Sequence, residues 1–134
     1  MNLKIDLSDN MVVEPDLHDA TLEAIQRTPE GLTLRFNTSY KTEETLVFGG
    51  RDVHLWAEGI VFPCIVSGAT FWESLDDAQF DSVMRSVPAE RLKKAIQTQV
   101  KAGWLLLIST NLGDPFVVFG PPAAMPDVSE WVAE

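Results

Sequence analysis

The feature that most constrains the fold is the alternation of apolar and polar side chains along residues 31–37. Leu32, Leu34 and Phe36 alternate with polar residues, at the period of a β-strand that buries one face. Residues 29–31 combine a proline with fixed φ, a polar tip and a glycine that accepts positive φ, so the chain can reverse there. The sequence therefore predicts a β-hairpin whose second arm is this strand.

The first arm of this hairpin, residues 17–28, allows two interpretations. Leu17, Thr21 and Ala24 lie at helical spacing, and the helix propensity of alanine and glutamate points the same way. Leu22 and Ala24 instead share one face of a strand. We predict a strand, because the short turn and the matched lengths of the two arms suit a hairpin.

Shorter alternating segments predict further strands on both sides of this hairpin. Residues 1–15 alternate weakly and predict a short strand at a sheet edge. Residues 46–57 predict one bent strand or two short ones, because Gly49-Gly50 permits a bulge. Residues 60–66 form an apolar run in which Pro63 indicates an edge or a bulge.

The apolar period changes to that of a helix in the second half of the chain. Phe80 and Val83 fall at helical spacing, which predicts a first helix at about 75–86. Pro88 suits the first turn of a second helix, at about 88–102. Charged residues occupy the other side of the second helix, so we expect both helices to pack on one face of the sheet.

The C-terminal part predicts a second hairpin and a tail. Residues 104–110 are apolar on both alternating faces, as in an inner strand covered by a helix, and 116–119 form the second arm. The tail, 121–134, contains one turn of helix around Trp131. The predicted fold is thus a single α+β domain over 1–134, with the tail packed on it. Its sheet is mostly antiparallel and built from hairpins, with the two consecutive helices on one face.

Length and cysteine content bound the class of protein. A chain of 134 residues is long enough for one self-sufficient domain. We find no apolar run of about 20 residues, as a membrane span requires, and no signal peptide, so we expect a cytoplasmic protein. Cys64 is the sole cysteine, which excludes an intrachain disulfide and a multi-cysteine zinc site. Its apolar neighbours predict a buried thiol.

The net charge of -10 is the most informative bulk property. It repels nucleic acid and anionic membrane surfaces, so we expect neither as a partner. The charge is uneven: residues up to Asp77 include 14 acidic and 5 basic side chains, whereas the remainder includes 6 and 5. Either the acidity only keeps the protein in solution, or it forms an acidic face that attracts a basic protein.

The motifs of common enzymes are missing from the sequence. It holds no Gly-x-Ser-x-Gly, Cys-x-x-Cys or His-Glu-x-x-His pattern, and two histidines leave few acid/base constellations. We therefore predict a protein that is not an enzyme and that has no cofactor or bound metal. The alternative is a small metal-dependent hydrolase or other enzyme that uses His18 and Asp19, with His54 brought near by folding.

Charge and aromatic placement suggest candidate partner-binding residues. His18 and Asp19 lie in a carboxylate-rich segment, and the simplest role for the pair is to fix the start of the first hairpin. Large aromatic side chains in polar surroundings are common interface anchors. The resulting partner-binding set is Asp16, His18, Asp19, Glu23, Trp56 and Trp72.

Four segments resemble those of a known family. They are Leu17-His18-Asp19-Ala20, the arm from Gly31 to Phe36, Arg51-Asp52-Val53, and Gly103-Trp104-Leu105-Leu106. With these segments the chain resembles the small β-rich immunity proteins of bacterial polymorphic toxin systems, and similar uncharacterised bacterial proteins. The resemblance implies a cytosolic, non-catalytic protein that neutralises one toxin by covering its active or substrate-binding site. A further alternative is a structural homodimer formed through an edge strand near residues 60–66.

Overall fold

The computed structural model describes residues 2–57, 63–75, 103–111 and 115–132, together with residues 81, 85, 90, 93, 94 and 96. Within these residues it has ten β-strands, one turn of 3-10 helix at Pro122–Ala124, and α-helical conformation at the six residues described singly. The strands are β1 Asn2–Asp6, β2 Met11–Glu14, β3 Thr21–Thr28, β4 Gly31–Asn37, β5 Glu43–Gly49, β6 His54–Trp56, β7 Cys64–Trp72, β8 Trp104–Thr110, β9 Phe116–Gly120 and β10 Asp127–Glu130.

The strands form one sheet in which β7 is the hub. β8 pairs with one side of β7, and β9 and β6 continue the sheet beyond it. Two strands, β2 and β3, share the other side of β7. β1 and β10 continue the sheet beyond β2, and β4 and β5 continue it beyond β3. Thr21 of β3 pairs with Ile65 near its start, whereas Met11 of β2 pairs with Thr70 near its end. Every pairing among the described residues is antiparallel except that of β1 with β10.

The predicted first hairpin is confirmed. β3 and β4 pair along their length, and two residues turn the chain between Thr28 and Gly31. The strand interpretation of the first arm is confirmed from Thr21 onward, whereas residues 17–20 belong to an irregular connection with a turn. The second hairpin is confirmed as well, because β8 and β9 pair along their length.

The curled sheet buries a main core on its inner face, in the manner of half a barrel. Alternate residues of β8 belong to different cores, since Leu106 and Ile108 lie in the main core and Leu105 and Leu107 in a second cluster on the outer face. This strand is therefore apolar on both faces, as predicted. The outer cluster consists of Trp72, Leu75, Ile96, Leu105, Leu107, Val117 and Phe119.

The prediction of an α+β domain with two packed helices is wrong. The protein is 58% strand and 9% helical, and the described residues contain no helix of seven or more residues. The curled sheet fills its own interior with side chains from facing strands, so the main core needs no helical layer. The ranges of the two predicted helices, 75–86 and 88–102, lie largely outside the described residues. None of the helical residues that the structure describes belongs to a helix long and apolar enough to cross a membrane.

Strand pairing corrects two further predictions. Residues 127–130 form β10, which pairs in parallel with β1, and not a turn of helix around Trp131. The unpaired backbone groups of β1 are satisfied by this pairing. Residues 64–66 are not an edge, because β7 has neighbours on both sides there. The rest of the predicted dimer edge, 60–62, lies outside the described residues.

Candidate functional site

An acidic groove forms where five parts of the chain meet beside β7. They are the turn between β1 and β2, β2 itself, the connection 15–20, the middle of β7, and the residue that follows β10. The groove has a volume of about 350 Å³. Its polar side chains are Asp6, Asp9, Asp16, His18 and Ser67, and its half-buried apolar side chains include Met11 and Trp131. We call this set the acidic groove.

Local turns position Asp6 and Asp9 at the groove. Asp6 accepts hydrogen bonds from the Ser8 N–H at 3.0 Å and the Ser8 hydroxyl at 2.7 Å. Asp9 accepts from the Met11 N–H at 2.9 Å, in the same Asx-turn pattern. The bonds from Ser8 lower the pKa of Asp6, first through the hydroxyl and then through the N–H. Because a carboxylate has about four acceptor positions, each of these groups can still bind a donor from outside.

The connection 15–20 runs along β7, between the places where β2 and β3 pair with that strand. The Asp19 N–H donates to the Val66 carbonyl at 2.9 Å, and the Val66 N–H donates to the Ala20 carbonyl at 2.7 Å. Asp19 has a φ of 61°, a left-handed conformation that aspartate tolerates better than most residues. These contacts bury Leu17 and Ala20 and leave the polar residues of the connection exposed.

His18 connects the exposed part of the connection to β7. Its Nδ1 donates to the Ser67 carbonyl at 2.9 Å, and its Nε2 lies 3.5 Å from Asp19 Oδ2. The Ser67 carbonyl raises the pKa of His18, and the charges of Asp19 and Asp16 raise it further. The Asp16 carboxylate also accepts the His18 N–H at 3.1 Å. The pair predicted to fix the start of the hairpin therefore also carries charge at the rim of the groove.

The groove has a strongly negative lining. Among the described residues that line it, none is a lysine or an arginine. Lys4 lies in a neighbouring depression, where it forms an ion pair with Glu14 at 3.4 Å. Trp131 borders both depressions. The cations that the described residues supply thus leave Asp6, Asp9 and Asp16 without ion-pair partners in the groove.

The structure brings together only half of the predicted partner-binding set. Asp16 and His18 line the groove, and Asp19 lies beside His18. Glu23 lines a separate depression of mixed charge. Trp72 is 8% exposed and belongs to the outer cluster. Trp56 is half-buried and packs against the same cluster, so neither tryptophan is positioned at the groove.

The residues of the alternative metal site do not converge. The described residues contain no group of three or more histidine, cysteine, aspartate or glutamate side chains that could hold a metal ion. His54 lies on β6, where its ring is 5.4 Å from that of Phe119 in a tilted arrangement. The buried Cys64 thiol, whose pKa is raised by burial, is far from thiolate chemistry at neutral pH.

The groove residues that the sequence reasoning missed include Asp6, Asp9 and Trp131. The Asp-Leu-Ser-Asp-Asn run at residues 6–10 has the composition of an Asx-rich turn, which could have indicated the first two. Trp131 reaches the groove because its N–H donates to the Ile5 carbonyl at 2.8 Å, after β10 has paired with β1. No local signal predicts that long-range pairing.

Comparison with known proteins returns no match, either among protein-family models, among curated proteins or among solved structures. The resemblance to immunity proteins therefore stays a prediction.

Proposed function

We propose that this protein is a non-catalytic binding protein that holds a basic surface of a partner protein in the acidic groove. The observation that supports the proposal is the placement of Asp6, Asp9 and Asp16 around Met11 and Trp131, without a lysine or arginine among the described lining residues. Carboxylates accept hydrogen bonds from lysine and arginine, and arginine can bind them with two parallel bonds. A half-buried tryptophan adds apolar contact and a face for a cation.

The net charge of -10 extends this attraction beyond the groove. Long-range attraction between oppositely charged proteins raises the association rate more than it raises the affinity. Salt screens such attraction within a Debye length of about 10 Å at 0.1 M ionic strength. We therefore expect association to be fast at low salt and to slow as the salt concentration rises.

The finer form of the proposal is a cytoplasmic bacterial immunity protein. Its partner would be a basic toxin, such as a nuclease whose active site normally binds anionic nucleic acid. An acidic surface is complementary to such a site and would block it. The sequence resemblance and the charge support this finer proposal, which adds a location and the identity of the partner.

The experiment compares three forms of the tagged protein as bait in a lysate of the organism that encodes it. The groove variant carries Asp6→Asn, Asp9→Asn and Asp16→Asn, because asparagine keeps the acceptor oxygen of each turn while removing the charge. The control variant carries Glu30→Gln, Asp52→Asn and Glu73→Gln, which removes the same charge from exposed positions outside the groove. Bound proteins are identified by mass spectrometry at low and at high salt.

We expect the wild type and the control variant to retain one basic protein at low salt and to release it at high salt. With that protein purified, the groove variant should associate at least about tenfold more slowly at low salt. Equal slowing of both variants would show that net charge acts without the groove and would contradict the proposal. So would a partner that binds equally well to all three forms.

A further inference from the structure

A depression with a basic lining lies at the end of β3 that is far from the acidic groove. The described residues that line it are Arg27, Thr28, Pro29 and Arg51, and its volume is about 430 Å³. We call this set the arginine depression. None of these four residues is acidic, although the chain has 20 acidic side chains and only 10 lysines and arginines. Two guanidinium groups therefore share this space without a carboxylate among the described lining residues.

Hydrogen bonds between distant segments hold both sides of the arginine depression in place. Arg27 donates from Nη1 to the Val53 carbonyl, and from Nη2 to the Arg51 carbonyl at 3.2 Å. The Gly50 N–H donates to the Glu30 carbonyl at 2.7 Å, which joins the turn of the first hairpin to the segment that follows β5. Val53 is fully buried in the main core, so the segment that carries Arg51 is anchored as well.

The side chains of the depression keep donors that the protein does not use. A guanidinium carries more N–H donors than the two that Arg27 directs to carbonyls. Neither arginine forms an ion pair with a described residue. The Thr28 hydroxyl adds a neutral donor, because its bond to the Gly31 carbonyl is long, at 3.5 Å. Positively charged donors that converge on one space are what an oxyanion requires.

We propose that the arginine depression binds a phosphate group, held between the guanidinium groups of Arg27 and Arg51. Arginine binds phosphate with parallel hydrogen bonds, and a doubly charged phosphate matches two guanidinium charges better than a singly charged carboxylate does. Arg27 is already held by its bonds to backbone carbonyls, so binding costs less side-chain entropy than ordering a mobile arginine would. The ligand is inorganic phosphate or the phosphate group of a small organic molecule.

This site is independent of the proposed binding of a basic partner. The arginine depression shares no described lining residue with the acidic groove. The net charge of -10 does not prevent the binding of a small anion, because salt screens distant carboxylates over about 10 Å at 0.1 M ionic strength.

The first test titrates the full-length protein with sodium phosphate at constant pH and ionic strength, with chloride as the anion that phosphate replaces. The backbone amide signals of Thr28 and Arg51 are followed by NMR, and we expect their shifts to saturate. Acetate should bind at least about tenfold more weakly, because it has one charge and fewer acceptor oxygens. Phosphate shifts that do not saturate, or acetate binding as tight as that of phosphate, would overturn the proposal.

The same titration with AMP distinguishes the two sources of the phosphate group. A Kd for AMP that is lower than that for inorganic phosphate would support a phosphorylated organic molecule as the ligand. An equal or higher Kd for AMP would support inorganic phosphate.

The second test compares two variants that each lose one arginine charge. Arg51→Gln should raise the Kd for phosphate by at least about tenfold, because it removes a charged donor from the depression. Arg35→Gln is the matched control, because Arg35 is an exposed arginine on β4 that lines a different depression. It should leave the Kd unchanged. Equal weakening by the two substitutions would show that overall charge alone attracts phosphate, and would overturn the site.

Discussion

At the scale of single residues, His18 shows how a backbone contact sets the charge of the groove. The carbonyl of Ser67 accepts from Nδ1, so the imidazole keeps a proton there, and Asp19 favours a second proton on Nε2. Both contacts favour the charged imidazolium in the folded state. The side chain is 71% exposed, so solvent screens the attraction to Asp19 more than it affects the direct hydrogen bond.

We expect an NMR titration of the folded protein to give His18 a pKa above the ordinary value of 6.5. Asp19→Asn should lower that pKa only in part, because the larger cause, the Ser67 carbonyl, remains. Since the folded pKa is raised, the contribution of His18 to stability is fully present below about pH 6.5 and is lost as the pH rises through the folded pKa. A His18 pKa at or below 6.5 would show that the bond to Ser67 does not form in solution.

The part of the candidate site that consists of sequence neighbours could be predicted from the sequence. Asp16, His18 and Asp19 are neighbours in sequence, so any compact connection keeps them together. Glu23 follows closely in sequence, yet it lies on β3 and lines a different depression. Trp72 is predicted as a partner-binding residue from its polar surroundings in the sequence, but an apolar cluster covers it on the outer face of the sheet. Which face of a two-sided sheet is covered depends on residues distant in sequence, and alternation alone does not show it.

At the scale of elements, the pairing of β4 with β5 depends on their close approach at Gly31. A Cβ atom on Gly31 would lie 2.1 Å from the Phe48 carbonyl oxygen, a backbone atom of the neighbouring strand. Gly49, which pairs with Gly31, has open space where its own Cβ would lie. The two glycines face each other in the same register and yet have opposite tolerance for a side chain.

Gly31→Ala should destabilise the protein by more than about 2 kcal/mol, because neither strand can move away without breaking its ladder bonds. Gly49→Ala should change stability by no more than about 0.5 kcal/mol, as substitutions at open surface positions usually do. Urea denaturation of both variants measures the difference. Equal losses would mean that the strands separate at Gly31 more easily than the structure indicates.

The strands were only partly predictable from the sequence. The alternation in 31–37 is strong and the turn before it is short, so the hairpin follows from local pattern. In the last segment, Val128 and Trp131 fit helical spacing, but only four residues form β10 and their pairing with β1 decides their conformation. The conformation of a short segment with weak periodicity is decided by the strand with which it pairs.

At the scale of the whole molecule, Trp104 connects strands from distant parts of the curled sheet. Its ring stacks on Phe48 of β5 at 5.5 Å between centroids, and on Phe71 of β7 at 5.9 Å. The indole N–H donates to the Pro121 carbonyl at 3.0 Å, so the buried polar atom is satisfied. The side chain is fully buried, and it packs on the inner face where the curl brings β5 and β7 together.

Trp104→Ala should therefore destabilise the protein by about 3–5 kcal/mol, through lost burial and the cavity left between the two phenylalanines. Trp56→Ala is the control, because Trp56 is only half-buried at the rim of the outer cluster, and it should cost clearly less. Thermal and urea unfolding measure both. Similar losses for the two variants would argue against the central position of Trp104 in the core.

The fold class was the feature of the molecule that the sequence predicted least well. Helical spacing in the second half of the chain predicted a helical layer, and apolar strands such as β8 were consistent with one. Whether a sheet stays open under helices or curls and fills its own interior depends on twist and on pairings such as β7 with both β2 and β3. Those pairings link residues far apart in sequence, so periodicity does not report them.

The parallel pairing of β1 with β10 has a consequence for the time course of synthesis. Asn2 pairs with Asp127, about 125 residues later in the chain. At about 5–20 residues per second, the ribosome releases β10 on the order of ten seconds after β1. During that interval the edge of β1 that β10 later covers stays open to pairing with other chains, even after β2 has paired with the opposite side of β1.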